Sequence, residues 1–261
     1  MLAVDSFKVK KFDLNVEKIL ENWEVYHAIR EIISNALDEQ ILTNTRSISI
    51  YEDDSGCWHI IDYGRGLNYH HLTQNENTEK LENGKLIGRF GVGLKDALAV
   101  LYRHGIKVRI ISKYGIITLK ESIKNGFDDV VTLHAEIFPP QSSSMVGTDF
   151  CLFGCSAEDI SKAKSLFLSF SGKRILEKTV YGEVIENTTD VADLYVNGVK
   201  VAEEPNFLFS YNITSLTSQL KKALNRERLN VGRSAYTSRV KDILMSSSSD
   251  MVIDMLIDDL R

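Results

Sequence analysis

The chain has 261 residues, of which 43% are hydrophobic and 26% charged, and it contains only three prolines. This composition is typical of a globular protein with a buried core and excludes a disordered or fibrous chain. The net charge of −5 at pH 7 argues against a uniformly basic nucleic-acid-coating protein, although a local basic patch stays compatible with it.

The first twenty residues contain no long apolar run between a basic start and a small-residue cleavage site, so they do not predict a signal peptide. Runs of about eighteen apolar residues are also missing, so no spanning helix is expected. We therefore expect an intracellular, cytoplasmic protein without a membrane partner. The cysteines Cys57, Cys151 and Cys155 are sparse and have no histidine at zinc-finger spacing, so they suggest neither a disulfide framework nor a zinc site. We expect buried or half-buried reduced thiols.

The first half of the chain predicts helices around a hairpin. Apolar residues recur at intervals of three and four over residues 16–44, which predicts one long helix. Two alternating runs around the turn "DDSG" predict a β-hairpin over 47–62. The polar, glycine-punctuated segment 63–90 is long for a connection, which is typical of a lid or functional loop. A helix over 94–102 follows.

The second half predicts a sheet with helices on one side. Four strand-like runs at hairpin spacing occupy 107–154, and a helix is predicted over 157–170. Strands over 174–185 and 192–201 follow, the latter with Asn197-Gly198, a strong hairpin signal. The remaining predictions are a helix near 218–224, a flexible spacer in the serine run 246–249, and a terminal helix over 250–261. The whole predicts an α+β fold.

The segment 31–39, "EIISNALDE", places three polar residues on one helical face. At about 100° per residue, Glu31, Asn35 and Asp38 align, and apolar residues occupy the opposite side. One interpretation is a solvated surface face. The other is a site for a divalent cation and a water, in which Asn35 supplies a hard oxygen ligand and Glu31 acts as general base.

A second motif, "DYGRG" at 62–66, ends a strand-like run. The carboxylate of Asp62 could accept a hydrogen bond from an exocyclic amine, and Gly64 and Gly66 would let a flat ring approach the backbone. An ordinary β-turn with a capping aspartate fits the same residues. This motif alone therefore does not decide between the two interpretations.

A third motif, "GRFGVGLK" at 88–95, places Gly88, Gly91 and Gly93 at the start of a predicted helix. Backbone N–H groups there would bind phosphate oxygens, because the unpaired donors and the helix dipole both favour negative charge. The motif is not a P-loop, since its lysine stands one place late and no hydroxyl residue follows it. Its glycine spacing also differs from the dinucleotide-binding fingerprint.

In this order and spacing, the three motifs resemble the nucleotide-binding boxes of the GHKL ATPases, which include the gyrase B subunit, heat-shock chaperones of ninety kilodaltons, MutL and MORC proteins. The resemblance covers about residues 20–150 and is closest to the MORC and heat-shock chaperone types. It implies a Bergerat fold, a two-layer α/β sandwich with a mixed sheet, that binds Mg-ATP beneath a lid at 68–87. We expect this domain at 1–155 and a smaller α/β extension, similar in part to a transducer region, at 156–261.

The resemblance also implies roles for single residues. Glu31 would activate the attacking water and Lys95 would add catalytic charge at the phosphates. Asn35 would ligate Mg²⁺, and Asp62 would bind the adenine amino group with help from Gly66. Further residues expected to contact the nucleotide are Asp38, Gly64, Gly88, Gly91, Val92, Gly93, Leu94 and Thr148.

Sensor histidine kinases share this fold, but no phosphoacceptor helix is apparent upstream of the first motif. His27 lies only four residues before Glu31, and we interpret it as a partly buried helix residue. We therefore expect an ATPase with ATP and Mg²⁺ as cofactors. Catalysis would consist mostly of positioning and of offsetting charge on the transferring phosphoryl group.

The extension carries a basic segment at 219–241. Arg226 or Arg228 could sense the γ-phosphate, the segment could bind nucleic acid, or it could be a solvated helix and loop. The terminal helix could bury its apolar stripe against a second subunit or against its own domain. The expected function is an ATP-driven conformational switch, with ATP and ADP, a homodimer, and a protein or nucleic-acid client as partners. The alternatives are a nucleotide sensor without appreciable turnover and a nucleic-acid-binding protein.

Overall fold

The computed structural model describes residues 9–14, 20–73, 86–87, 93–126, 128–224 and 231–259. The chain divides into two compact units, unit 1 (residues 1–81 and 88–163) and unit 2 (residues 82–87 and 164–261). Each unit contributes its own β-sheet. Across these described ranges, no helix is long and apolar enough to cross a membrane.

Unit 1 contains an antiparallel sheet. Its described strands are β1 (Lys10–Asp13), β2 (Ser49–Glu52), β3 (Cys57–Asp62), β4 (Lys107–Ser112), β5 (Gly115–Ile123), β6 (Val131–Phe138) and β7 (Thr148–Phe153). Their order is β1-β6-β5-β4-β7-β3-β2, and every neighbouring pair is antiparallel. The expected mixed sheet is therefore wrong for this unit, because short connections reverse the chain from β2 to β3 and from β4 through β6. The α+β class is confirmed.

Helices cover one face of this sheet. They are α1 (Val25–Thr43), α2 (His70–Thr73), α3 (Gly93–Arg103) and α4 (Ala157–Ser165), the last residues of which belong to unit 2. Helices α1 and α3 pack against each other and contact β3 and β4, respectively. Ile29, Ile33, Leu98 and Leu101 are fully buried in these helices. Each such side chain contributes about 1.5–3 kcal/mol on burial, so this packing is a main source of stability.

Helix α1 begins later than the predicted start at residue 16. Leu20 has a left-handed φ of 62°, and Glu24 is extended at the N-cap. The backbone N–H of Glu24 donates to Nδ1 of His27 at 3.0 Å, which satisfies a group that the helix leaves unpaired. The buried His27 therefore fixes the start of the helix, while residues 16–19 of the predicted helix lie outside the described part of the chain.

Side chains alternate between the two faces of the unit 1 sheet. Ile60, Phe150 and Ile110 form a row across β3, β7 and β4, and all three are buried. This row lies on the face covered by helices. Because successive strand residues point to opposite faces, the next row points away from α1 and α3; it consists of His59, Cys151 and Arg109.

Unit 2 contains a mixed sheet. Its strands are β8 (Ile175–Lys178), β9 (Gly182–Ile185), β10 (Ala192–Val196), β11 (Val199–Glu204) and β12 (Ser210–Ile213). Their order is β11-β10-β12-β9-β8, and only the described pair β10–β12 is parallel. The core packs Leu194, Tyr211 and Ile213 of the sheet, and Phe209 just before β12, against helical residues such as Ile243.

The helical elements of unit 2 are α5 (Leu168–Ser171), α6 (Ser218–Ala223), a 3₁₀ turn (Arg233–Ala235), α7 (Thr237–Met245) and α8 (Asp250–Asp259). The single helix predicted over 157–170 is wrong, because α4 and α5 are separate. Phe167 between them is extended, fully buried, and forms a β-bridge with Val199. Tertiary pairing therefore overrides local helical propensity at this point.

The β10–β11 connection is the predicted two-residue hairpin. Asn197 and Gly198 both have positive φ, 48° and 80°, as a type I′ turn requires. The Asn197 amide also donates to the backbone oxygen of Leu86 at 3.2 Å, and Leu86 is 1% exposed. Residues 86–87, at the end of the expected lid, are thus part of unit 2.

The serine run 246–249 is anchored, which corrects its prediction as a flexible spacer. The Glu177 carboxylate accepts from the backbone N–H groups of Ser248 at 2.7 Å and Ser249 at 3.2 Å. It also accepts from the Ser247 hydroxyl. Helix α8 begins directly after this run. The Glu177 carboxylate therefore accepts from backbone N–H groups at the N-terminal end of α8, where such groups have no partner within the helix.

The terminal helix α8 packs against its own unit. Val252 is fully buried in the core of unit 2, and Met255 and Leu256 pack against that core. The opposite side exposes Met251, at 43%, and Ile257, at 44%. The sequence left open whether the apolar stripe packs against a second subunit or against its own domain. The inner stripe of the helix packs against its own domain.

Candidate functional site

The carboxylate of Glu31 is held by its chain neighbour. Nε and Nη2 of Arg30 donate to Oε1 of Glu31 at 3.2 and 2.8 Å. Arg30 is only 1% exposed, and its guanidinium lies 5.2 Å from the ring centroid of Trp23. The ion pair and the cation–π contact fix the rotamer of the expected general base. Sequence reasoning did not single out Arg30, although its position directly before Glu31 was visible.

The other oxygen of Glu31 lies at the start of helix α3. A Cβ atom added at Gly93, the first residue of α3, would collide with Oε2 of Glu31. Any larger residue at position 93 would have to displace the Glu31 carboxylate. The close approach also shows that the first and third motifs, separated by about sixty residues in the sequence, meet in space.

Asn35 follows Glu31 on the same face of α1. Its Nδ2 donates to the backbone oxygen of Glu31 at 2.9 Å. A role as metal ligand would use the other atom of the amide, Oδ1, because Mg²⁺ prefers oxygen. A single amide oxygen suits Mg²⁺, which usually keeps several waters and takes its other ligands from phosphates. The chemistry of this residue therefore fits the expected cation.

Asp62 is buried at the end of β3, with 5% of its surface exposed. Its Oδ1 accepts the Gly64 N–H at 2.9 Å, and Thr148 lies opposite it on β7. Burial raises the pKa of the Asp62 carboxyl, and the hydrogen bond from Gly64 opposes this shift. A buried acceptor of this kind can bind an amino group of a ligand.

A second glycine closes this corner of the site. Gly147 has a φ of 79°, and a Cβ atom there would collide with the backbone oxygen of Asp62. Gly66 has a φ of 85°, and a Cβ atom added there would lie 3.1 Å from the backbone oxygen of Gly147. Gly147 was missed as a site residue, although its place directly before Thr148 is a visible signal.

Ser112 is a further residue that sequence reasoning missed. It lies opposite Thr148 on β4, and its hydroxyl donates to the backbone oxygen of Leu67 at 2.7 Å. Thr148 Oγ1 accepts the Leu67 N–H at 2.9 Å. Both backbone groups of Leu67 are therefore hydrogen bonded, one to Ser112 and one to Thr148. The sequence does not predict this arrangement, because it depends on the pairing of β4 with β7.

The remaining expected residues divide into two groups. Asp38 is fully buried on α1, whereas Leu94 and Lys95 are half-buried in the first turn of α3. The other group, which contains Gly88, Gly91 and Val92, lies outside the described residues. The described half of the phosphate-binding motif is therefore the helix start at Gly93.

Known relatives of the chain occur in Mycoplasma pneumoniae. One of them, an "Uncharacterized protein", is 38% identical over 245 residues, which is 92% of this chain and 98% of the relative. The chain belongs to the family of this protein. The family described as "Mycoplasma pneumoniae MPN635 N-terminal domain" matches residues 158–250. A second "Uncharacterized protein" of this organism is 33% identical over 128 residues, 47% of this chain and 36% of the relative.

The MPN635 match includes the whole basic segment, and the described arginines of that segment contact aromatic rings of unit 2. The Arg233 guanidinium lies 5.1 Å from the Phe207 ring centroid. Arg239 lies 4.9 Å from the ring centroid of Tyr181 and donates to Asp242 at 3.0 Å. These contacts give two of the basic side chains in the segment a structural role within unit 2. The expected γ-phosphate sensors, Arg226 and Arg228, lie outside the described residues.

Proposed function

We propose that unit 1 binds Mg-ATP and hydrolyses it, and that this cycle works as a conformational switch. The observation that carries the proposal is the meeting of the Glu31 carboxylate with the helix start at Gly93. This places a fixed carboxylate beside a group of backbone donors. Phosphate oxygens favour such a helix start, so the γ-phosphate and the base would share one location.

The residues around this point have complementary roles. Arg30 orients Glu31, which would accept a proton from the attacking water. Lys95, in the first turn of α3, would add positive charge near the transferring phosphoryl group. Asn35 would hold Mg²⁺ through its Oδ1, and the bound cation would offset negative charge on the phosphates.

The Asp62 corner supports adenine as the base. The amino group at position 6 of adenine would donate to the Asp62 carboxylate, which the Gly64 N–H holds in place. Guanine carries an oxygen at that position, so it would place an acceptor against a buried carboxylate. Unpaired buried polar groups are strongly disfavoured, and we therefore expect preference for ATP over GTP.

Several features of the switch belong to the same proposal. The lid would be the segment 68–87, of which residues 74–85 lie outside the described part of the chain. The exposed stripe of α8 would be available to a second copy of the chain or to a protein client.

The test is Mg-dependent ATP binding by calorimetry and phosphate release by the purified chain. Glu31→Gln should bind ATP but lose about 10²–10⁴-fold in turnover, and Asp62→Asn should lose binding. Asp54→Asn, at an exposed residue of the β2–β3 turn, is the matched control and should behave as wild type.

Other outcomes would favour the alternatives. Binding without turnover in wild type would indicate a nucleotide sensor. If the chain binds no nucleotide but binds nucleic acid with steep salt dependence, and this binding weakens in the variant Lys221→Gln/Lys222→Gln, the basic segment would be the primary site. Both lysines are exposed on α6.

A further inference from the structure

Three potential metal ligands converge on the sheet face that points away from α1 and α3. Cys57 and His59 lie on β3, and Cys151 lies opposite His59 on β7. One ligand atom from each, the two thiol sulfurs and a ring nitrogen, lie within 4.8 Å of one another. We propose that this cluster binds Zn²⁺, and that Asp149 supplies the fourth ligand.

The spacing of Cys151 and His59 matches a tetrahedral zinc site. Zn–S and Zn–N bonds of about 2.3 and 2.0–2.1 Å imply roughly 3.5–3.8 Å between neighbouring ligand atoms. Sγ of Cys151 and Nδ1 of His59 are 3.7 Å apart. Both carboxylate oxygens of Asp149 lie 3.0 Å from the same Nδ1, so the Asp149 carboxylate would have to move away from this nitrogen on binding the ion.

The donor set favours zinc over harder cations. Two thiolates and an imidazole select borderline and soft metals, whereas Mg²⁺ and Ca²⁺ require oxygen ligands. The cluster is therefore chemically distinct from the candidate Mg²⁺ ligand Asn35. It is also independent of the proposed ATPase activity, since none of its residues belongs to the three nucleotide motifs.

The opposite nitrogen of His59 has the outer partner that zinc-bound histidines usually have. Nε2 lies 3.3 Å from Oδ2 of Asp53. Asp53 is itself held by the β2–β3 turn, because its Oδ1 accepts from the backbone N–H groups of Ser55 at 2.9 Å and Cys57 at 3.0 Å. A carboxylate on the far nitrogen fixes the tautomer and the ring orientation, which leaves Nδ1 for the metal.

Charge and access also suit a bound cation. Cys57 and Cys151 are 0% and 3% exposed, while the side chains of His59 and Asp149 are 15% and 14% exposed. The sulfurs are therefore shielded, and the other two ligands reach the surface. Arg109 lies opposite Cys151 on β4, and its positive charge would offset part of the negative charge of two thiolates and a carboxylate.

The register makes a disulfide a poor alternative. Cys57 pairs with Phe153 and Cys151 pairs with His59, so the cysteines are diagonal neighbours across the two strands. Diagonal Cα atoms lie about 7–8 Å apart, beyond the roughly 4.4–6.8 Å usual for disulfides. Zinc-finger spacing is not apparent in the sequence because the ligands come from two distant strands.

The test uses the full chain, loaded with Zn²⁺ and dialysed, with metal content measured by mass spectrometry and geometry by Co²⁺ substitution. We expect one Zn²⁺ per chain and thiolate-to-cobalt charge-transfer absorption of a tetrahedral complex. Cys57→Ser and Cys151→Ser should weaken binding more than about 100-fold, and Asp53→Asn about 10–100-fold. Cys155→Ser is the control, because that buried cysteine lies outside the cluster.

Specific results would overturn the proposal. These are substoichiometric zinc in wild type, octahedral cobalt without thiolate absorption, equal losses in Cys155→Ser and Cys57→Ser, or a Cys57–Cys151 disulfide with no zinc binding after reduction. Where a serine variant fails to fold, by circular dichroism, His59→Gln provides the test. His59 is more exposed than the cysteines, and unchanged zinc affinity in that variant would equally reject the site.

Discussion

Asp62 and Thr148 lie directly opposite each other on the antiparallel strands β3 and β7. The Thr148 hydroxyl accepts the Leu67 N–H at 2.9 Å. Thr148 therefore links the strand pair that carries the candidate adenine-binding carboxylate to the segment that follows the turn after Asp62. The hydroxyl, rather than the shape of the side chain, is what this position requires.

Replacing this hydroxyl should weaken both the fold and the site. Thr148→Val keeps the shape of the side chain but removes the acceptor of the Leu67 N–H. An intramolecular hydrogen bond contributes about 0.5–1.5 kcal/mol, so we expect a loss of unfolding free energy on that order, measured by urea denaturation. Affinity for ATP, measured by calorimetry, should fall in the same variant.

Thr132→Val is the matched control for that substitution. The hydroxyl of Thr132 is inaccessible to water and has no hydrogen-bond partner among the described residues. Its removal should therefore be neutral or stabilise the protein by up to about 1 kcal/mol, because an unsatisfied buried group is lost. Equal destabilisation by the two substitutions would contradict the role assigned to Thr148.

Asp62→Asn should separate stability from binding. An acid with a raised folded pKa binds more protons when folded, so stability falls as pH rises through that pKa. Burial raises the pKa of Asp62 above 3.8, and the uncharged variant escapes this loss. We expect it to be at least as stable as wild type at pH 7, with no advantage below pH 3.8, in thermal unfolding across pH. A variant less stable than wild type at pH 7 would contradict this.

Local sequence patterns were sufficient to predict much of the fold. The β2–β3 and β10–β11 hairpins follow from alternation and from turn residues such as Asn197-Gly198. The helix break at Phe167 could not be predicted in this way, because it depends on a bridge to a strand thirty residues away. The start of α1 likewise depends on a bond between Glu24 and His27 that helical periodicity does not encode.

The site shows the same division. The motif residues Glu31 and Asp62 stand out by residue type and spacing, but their partners depend on the tertiary fold. The contact of Glu31 with Gly93 requires α1 and α3 to pack together. The approach of Cys57 to Cys151 requires β7 to lie between β3 and β4, and long-range strand pairing has no short-range signal.

The anchor of the serine run should be pH-dependent. Although burial opposes ionisation of Glu177, hydrogen bonds from Ser247, Ser248 and Ser249 outweigh it and lower the pKa of the carboxyl below 4.5. The stabilisation is therefore fully present above pH 4.5 and is lost as pH falls through the folded pKa. We expect Glu177→Gln to cost on the order of 1 kcal/mol at pH 7, and less in acid.

Thermal unfolding at several pH values would check this expectation. Glu186→Gln, on the strand connection after β9, is the control. Its effect should be small at every pH. A constant difference between Glu177→Gln and wild type from pH 7 to acid would show that the ionised carboxylate is not the anchoring species.

The Arg30–Glu31 pair allows a sharper test of the proposed chemistry. Arg30 holds Oε1 of Glu31 through two N–H groups while Oε2 lies against Gly93. Arg30→Lys retains the charge but not the fork of donors or the flat contact with Trp23. If Arg30 acts by positioning the base, this variant should lower kcat for ATP hydrolysis while leaving the ATP dissociation constant nearly unchanged.

The double variant Arg30→Lys/Glu31→Gln distinguishes positioning from a separate role. Groups that act as one unit are non-additive, so the double variant should turn over ATP no more slowly than Glu31→Gln alone. Additive losses would instead mean that Arg30 contributes independently of Glu31. Thermal unfolding of all three variants would separate a catalytic loss from a general one, because disrupting a buried ion pair also costs stability, by about 3–5 kcal/mol when one partner is removed entirely.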